Sequence, residues 1–265
     1  MSSLTGMTSS LAKPLRVLIL GGTTDANQLV AAMAGDPRLD PILSYAGRTE
    51  NPKRPPIAWR VGGFGGVDGL IDYLRTEQIA RVVDATHPFA AQMSAHAIAA
   101  CAATAVPLLA LERAPWQRQP GDRWTEVDDF AAAAEALGDM PRRVFLGIGR
   151  TQLAPFAWHP QHFYLVRLVD PPRAPLPIDA EVIIARGPYD LAGDRAVLTE
   201  HRIDIMVTRD AGGDSASAKI EAARELGLPV IMVRRPFIPA REKVESVAEV
   251  LRWLGHDETP AERGV

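Results

Sequence analysis

The chain has 265 residues, 47% of them hydrophobic and 23% charged, with a formal net charge of −3. That length suits one large domain or two modest ones, and the apolar share excludes wholesale disorder. A single cysteine, Cys101, excludes an internal disulfide and cysteine-built zinc or iron–sulfur centres within one chain. The 29 basic against 32 acidic residues give nucleic acid no support as the main partner. No run approaches the ~20 apolar residues of a membrane span, and residues 1–14 lack the apolar core of a signal peptide. The expectation is a soluble, cytoplasmic protein whose first fourteen residues form a flexible extension.

Leu15-Arg16-Val17-Leu18-Ile19-Leu20 reads as a buried parallel strand ending at Gly21-Gly22. Residues 25–34 then have helical spacing, with Ala26, Leu29, Val30 and Met33 on one face. Strands are expected at 41–45, 57–61, 81–84 and 106–111. Helices are expected at 67–75 and from His87 to about 103. A Pro/Trp/Gly-containing stretch at 114–124 interrupts the alternation. It resumes with strands at 143–146, 162–168, 180–185, 205–208 and 229–233. Helices follow at 189–201, 215–226 and 243–254.

Strand–helix alternation of this kind predicts doubly wound α/β architecture with parallel sheets. Two domains are expected, an N-terminal one over 15–125 and a C-terminal one over 142–255, with a loose tail at 256–265. Ligands of such sheets bind beyond the carboxyl ends of the strands. The glycine and polar clusters at 21–25, 62–66, 84–89, 147–150, 186–189 and 208–213 all follow predicted strands.

Gly21-Gly22-Thr23-Thr24-Asp25-Ala26 joins the first strand to the first helix. Glycines there let backbone N–H groups approach a pyrophosphate at a helix N-terminus. The bland alternative is a tight turn with an aspartate cap. An NAD-type acid is missing from the end of the second strand, since Asp40 lies at its wrong end. That strand instead exits into Ser44-Tyr45-Ala46-Gly47-Arg48. Arg48 with nearby hydroxyls suits a 2′-phosphate, which favours NADP over NAD; a solvated loop cation is the alternative. Gly63 and Thr86 complete the candidate cofactor-binding set.

Asp84-Ala85-Thr86-His87-Pro88-Phe89-Ala90 ends one strand and opens a helix. Thr86 or His87 caps that helix, or His87 serves a ligand as hydrogen-bond or proton donor. Thr208-Arg209-Asp210-Ala211-Gly212-Gly213 forms a second glycine loop, with Lys219 two turns into the next helix. Lys219 either reaches an anion near the loop or is a surface lysine. His87 and Lys219 are the candidate catalytic residues. They are joined by Arg209, Gly212 and Gly213 as the candidate substrate site. No zincin, α/β-hydrolase or P-loop pattern occurs, and no metal site is expected.

The 21–26 and 84–90 motifs together closely resemble the precorrin-6A reductase family of cobalamin biosynthesis. Supporting matches are Leu111-Glu112-Arg113 with Trp116, Gly187-Pro188-Tyr189, the 208–213 loop with Lys219, and Val233-Arg234-Arg235-Pro236. The resemblance spans about residues 15–254, although Tyr189 stands where Phe is common and the 208–213 loop departs in its Arg-Asp-Ala. It implies two Rossmann-like domains facing a central cleft. It also implies NADPH-dependent reduction of one double bond of the precorrin-6A macrocycle, giving precorrin-6B. A polycarboxylate substrate gives an Arg-rich cleft a physical use. The residues alone fit two rivals: a non-catalytic two-lobed nucleotide or small-anion binding module, and an NADP-dependent reductase of another small substrate.

Overall fold

The computed structural model describes residues 13–47, 54–172, 174–187 and 189–255. Two six-stranded parallel sheets form two lobes. The first five strands of the first lobe are β1 (Leu15–Leu20), β2 (Leu39–Tyr45), β3 (Ala58–Val61), β4 (Arg81–Asp84) and β5 (Leu108–Leu111). Helices α1 (Thr24–Met33), α2 (Gly66–Thr76) and α3 (Ala91–Thr104) connect them. The second lobe holds β6 (Arg123–Val127), β7 (Arg143–Gly147), β8 (Phe163–Leu168), β9 (Glu181–Ile184), β10 (Ile205–Arg209) and β11 (Pro229–Val233). Its helices are α4 (Phe130–Glu135), α5 (Leu191–Glu200) and α6 (Ala218–Glu225). The chain ends its described part with β12 (Lys243–Val244) and α7 (Val247–Gly255).

The alternating side chains of each central strand enter opposite cores. Val17 and Ile19 join α1 and α7, whereas Leu18 and Leu20 join α2 and α3. Val144 and Leu146 likewise pack on the α4 side and Phe145 on the α5–α6 side. Strands buried on both faces explain the unbroken aliphatic runs in the sequence.

The strand orders are β12-β5-β4-β1-β2-β3 and β6-β11-β10-β7-β8-β9. Each is the doubly wound order, with its switch point between β1 and β4 or between β7 and β10. The outermost strands are exchanged along the chain. The edge strand β6 precedes the rest of the second sheet, pairing with β11 across about a hundred residues. β12 returns from the end of the chain to pair with β5. The sheets therefore divide the chain differently from the 15–125 and 142–255 expectation. Residues 123–127 belong to the second lobe, and 243–255 belong to the first. A helix was expected throughout 243–254, but backbone pairing to β5 captures Lys243 and Val244 first.

Two crossovers, residues 112–122 and 234–242, are the connections between the lobes. Arg235 joins them to the second lobe, donating to the carbonyls of Arg113 (2.9 Å) and Asp210 (3.2 Å). Trp116 extends the contact, its backbone N–H donating to Asp210 Oδ1 and its indole N–H to the Gly213 carbonyl. No described helix is long and apolar enough to cross a membrane.

Candidate active site

The loop between β1 and α1 is built for close approach. Thr23, rather than Asp25, is the N-cap of α1: its hydroxyl accepts from Ala26 N–H at 3.0 Å. The same hydroxyl donates to the Ala85 carbonyl at 2.8 Å, tying the loop to the end of β4. Gly21 donates its N–H to the Ser44 carbonyl, and a Cβ there would meet Leu43 of β2. Gly22 adopts φ +117, and a Cβ there would meet nothing within 4 Å. Thr24 and Asp25 stand in the first turn, where backbone N–H groups have no partner within the helix. Ala26 is fully buried against the sheet, so the last position of the motif is small for packing.

Open space continues around the rim. Would-be Cβ atoms at Gly62, Gly63, Gly65 and Gly66 also meet nothing within 4 Å. Gly47, at φ +78, packs against Val61 instead. Ser44 is buried, and its hydroxyl accepts from Arg60 at 2.8 Å. Arg60 also donates to the carbonyls of Gly62 and Gly63, and stacks over Phe64. It brings a guanidinium to the ends of β2 and β3 that the sequence reading did not single out. Arg48 lies outside the described residues.

At the end of β4, Asp84 Oδ1 accepts from the hydroxyl of Thr86 at 2.7 Å and from its N–H at 3.2 Å. Helix α3 begins only at Ala91, so neither Thr86 nor His87 caps it. Residues 87–90 form a turn instead, closed by Ala90 N–H donating to the His87 carbonyl. His87 Nδ1 accepts from Phe89 N–H at 3.1 Å, which leaves the ring proton of the neutral imidazole on Nε2. Burial, followed by the charges of Arg209, Arg113, Arg235 and Lys219, drives the His87 pKa down to about 2. These cations come from the second lobe and both crossovers, so His87 faces the lobe junction. Arg209 itself lies over the Phe89 ring, bringing the two rims together.

Lys219 is the second residue of α6, not two turns inside it, because the 214–216 stretch forms a separate 3-10 turn. Its side chain is buried; Nζ donates to the Ala216 carbonyl and lies over the Trp116 ring at 4.8 Å. Burial, then the charge of Arg167, lowers its pKa to about 7, against the opposing pull of Asp194. Gly212 and Gly213 do not border open space. Their Cβ positions are filled by Ala114 and Arg235 and by Arg113, respectively, so these glycines let the crossovers approach. That geometry gives Gly212 and Gly213 a packing reason to be glycine that does not depend on a substrate. It keeps His87, Arg209 and Lys219 around one junction.

Arg113 and Arg235 are the residues that sequence reasoning placed only in supporting motifs. Each stands two residues past a strand end, β5 or β11, which is the available signal. Among the described residues no cluster of histidine, cysteine, aspartate or glutamate suits a metal.

The profile of the family described as Precorrin-6x reductase CbiJ/CobK matches residues 16–255. The chain is 54% identical over 252 residues to the precorrin-6A reductase of Rhodobacter capsulatus, covering 94% of this chain and 99% of that protein. It is 48% identical to that of a Sinorhizobium species, covering 96% and 97%. A solved structure of CobK precorrin-6A reductase has a TM-score of 0.87 at 54% identity, covering 94% of this chain and 99% of that one. A doubly wound two-lobed fold, a glycine rim and these matches along nearly the whole described length agree: the chain belongs to the precorrin-6x reductase family.

Proposed function

We propose that the protein reduces one double bond of precorrin-6A with NADPH, giving precorrin-6B in cobalamin biosynthesis. The observation that carries the reading is the junction itself. An open glycine rim on one lobe meets a neutral histidine ringed by cations from the other lobe and the crossovers. The first feature fits a dinucleotide pyrophosphate; the second fits a flat substrate with many carboxylates.

The open space at Gly22 and the first turn of α1 suit the pyrophosphate, with Thr23 fixing the loop to the β4 end. Arg60, beside Ser44, brings positive charge to the ends of β2 and β3, where a 2′-phosphate would sit; Arg48 follows β2 in the sequence. This supports NADPH over NADH. When bound, the nicotinamide supplies a hydride to an electrophilic carbon of the conjugated macrocycle.

The remaining work belongs to the protein. Arg209 and Lys219 attract carboxylate arms and orient the ring. His87, neutral and with its proton on Nε2, donates a hydrogen bond to the substrate rather than acting as an imidazolium acid. Packing of Phe89 and Trp116 at the junction limits water and strengthens these charge contacts. No metal is required for this arrangement.

The test is anaerobic NADPH oxidation followed at its nicotinamide absorbance with precorrin-6A, with precorrin-6B identified by mass. Turnover with NADPH and much slower turnover with NADH is the expected result. Tight dinucleotide binding without turnover would favour a binding module instead.

A further inference from the structure

The second crossover carries a ring that neither the glycine rim nor the His87 junction uses. Phe237 is 87% exposed, between Pro236 and Pro239 in the connection from β11 to β12. Two flanking prolines restrict the backbone there, so the ring is displayed at low entropic cost to a ligand. Beside it lies a cavity of about 440 Å³ whose walls include Pro88, Glu112, Arg235, Arg241 and Lys243. Pro88 follows His87 directly, so this cavity adjoins the junction.

Three cations line that cavity against one carboxylate. Glu112 accepts from Arg241 at 2.8 Å, and from Arg235 and Lys243 at 3.4 Å each. Asp84 and Asp210, both 3.7 Å from a guanidinium nitrogen, are not among the residues lining the cavity. Arg235 Nη2 and Arg241 Nε are buried without a hydrogen-bond partner among the described residues. Neither atom is open to the cavity, Arg235 Nη2 lying at Gly212; the donor a ligand carboxylate can reach is the ammonium of Lys243, whose side chain is 58% exposed.

A displayed aromatic ring beside a cation-lined cavity matches a ligand that is both flat and carboxylate-bearing. We infer that Phe237 and the cavity form an outer subsite for the tetrapyrrole. Phe237 lies against the macrocycle, and the cavity takes one of its carboxylate arms. The inference rests on the reading of the protein as a precorrin-6A reductase. It makes the second crossover part of the substrate site and not only a link between lobes.

The experiment compares the wild type with Phe237→Ala, Phe237→Trp and Lys243→Gln, measuring NADPH affinity and the kinetics with precorrin-6A. Both altered side chains are largely exposed, so folding is not at risk. Phe237→Ala is expected to raise KM about tenfold with kcat and NADPH affinity little changed, and Phe237→Trp to restore KM. Lys243→Gln is expected to raise KM severalfold, less so at high salt. Wild-type turnover with unchanged kcat/KM in Phe237→Ala and Lys243→Gln would overturn the subsite alone. Absence of wild-type turnover would overturn the reductase reading, and the subsite with it.

Discussion

Arg113 Nε lies 3.4 Å from Asp25 Oδ2, so the first crossover reaches the first turn of α1. The acidic side chain next to the proposed pyrophosphate position is thereby neutralised by a cation from the crossover. Removing that cation leaves a carboxylate beside the cofactor phosphates. Arg113→Ala is expected to weaken NADPH binding about tenfold, ~1.4 kcal/mol. Adding Asp25→Asn removes the repulsion, and titration calorimetry of the double variant should recover most of the loss. A double variant no better than the single one would separate Arg113 from the cofactor.

Gly22 tests the glycine rim. At φ +117 a β-branched residue is strained, yet its Cβ would meet nothing within 4 Å. Gly22→Val is expected to lose NADPH binding while keeping a cooperative thermal transition. Retained affinity would make the loop a turn with no part in binding.

The pH behaviour of the junction follows from two depressed values. His87, at about 2, is neutral across the working range and contributes no ionisation there. Lys219, at about 7, is charged below that value and neutral above it. Attraction for substrate carboxylates is therefore present below pH 7 and lost as pH rises through 7. The kcat/KM profile for precorrin-6A should fall on its alkaline side with that midpoint, which reports the free enzyme. In Lys219→Met the fall should disappear, with KM raised below pH 7 and approaching the wild-type value above it. Persistence of the same alkaline fall in Lys219→Met would assign it to another group.

Beneath the second rim, Arg167 and Asp194 form a short ion pair with side chains only 8% and 4% exposed. Tyr189 and Phe145 flank the guanidinium at 3.9 and 5.2 Å. Breaking one side leaves the other charge buried and unpaired. Arg167→Met is expected to cost roughly 3–5 kcal/mol in urea unfolding. Pairing it with Asp194→Leu should recover much of that stability. A single-variant loss below about 1 kcal/mol would show that solvent reaches Asp194.

Much of the parallel framework was legible because its central strands are buried on both faces. The runs around Val17 to Leu20, Val82 to Val83, Phe145 and Val207 announce themselves by continuous apolar character. β6 was not, since Arg123-Trp-Thr-Glu-Val buries only Trp124 and its partner β11 lies far along the chain. β12, two residues long, was hidden in a sequence with helical spacing. The site divides along the same line. Gly21, Gly22, Thr86, His87, Arg209 and Lys219 sit at strand ends or helix starts, where local pattern points. The crowding of Gly212 and Gly213 by Arg113, Ala114 and Arg235 depends on how two crossovers meet, which no local pattern encodes.

The exchange of edge strands also sets an order on synthesis. All six strands of the second lobe are consecutive, so that lobe is complete once β11 has emerged from the ribosome. The first lobe must wait longer. Val250 and Leu254, buried in its core beside α1, are made more than two hundred residues after β1. Until then the outer edge of β5 stands unpaired and the α1 face is uncovered, a surface open to wrong partners during translation. A chain released at residue 240 would thus carry a finished downstream lobe behind an unfinished upstream one, and its need for chaperones would concentrate at the end made first.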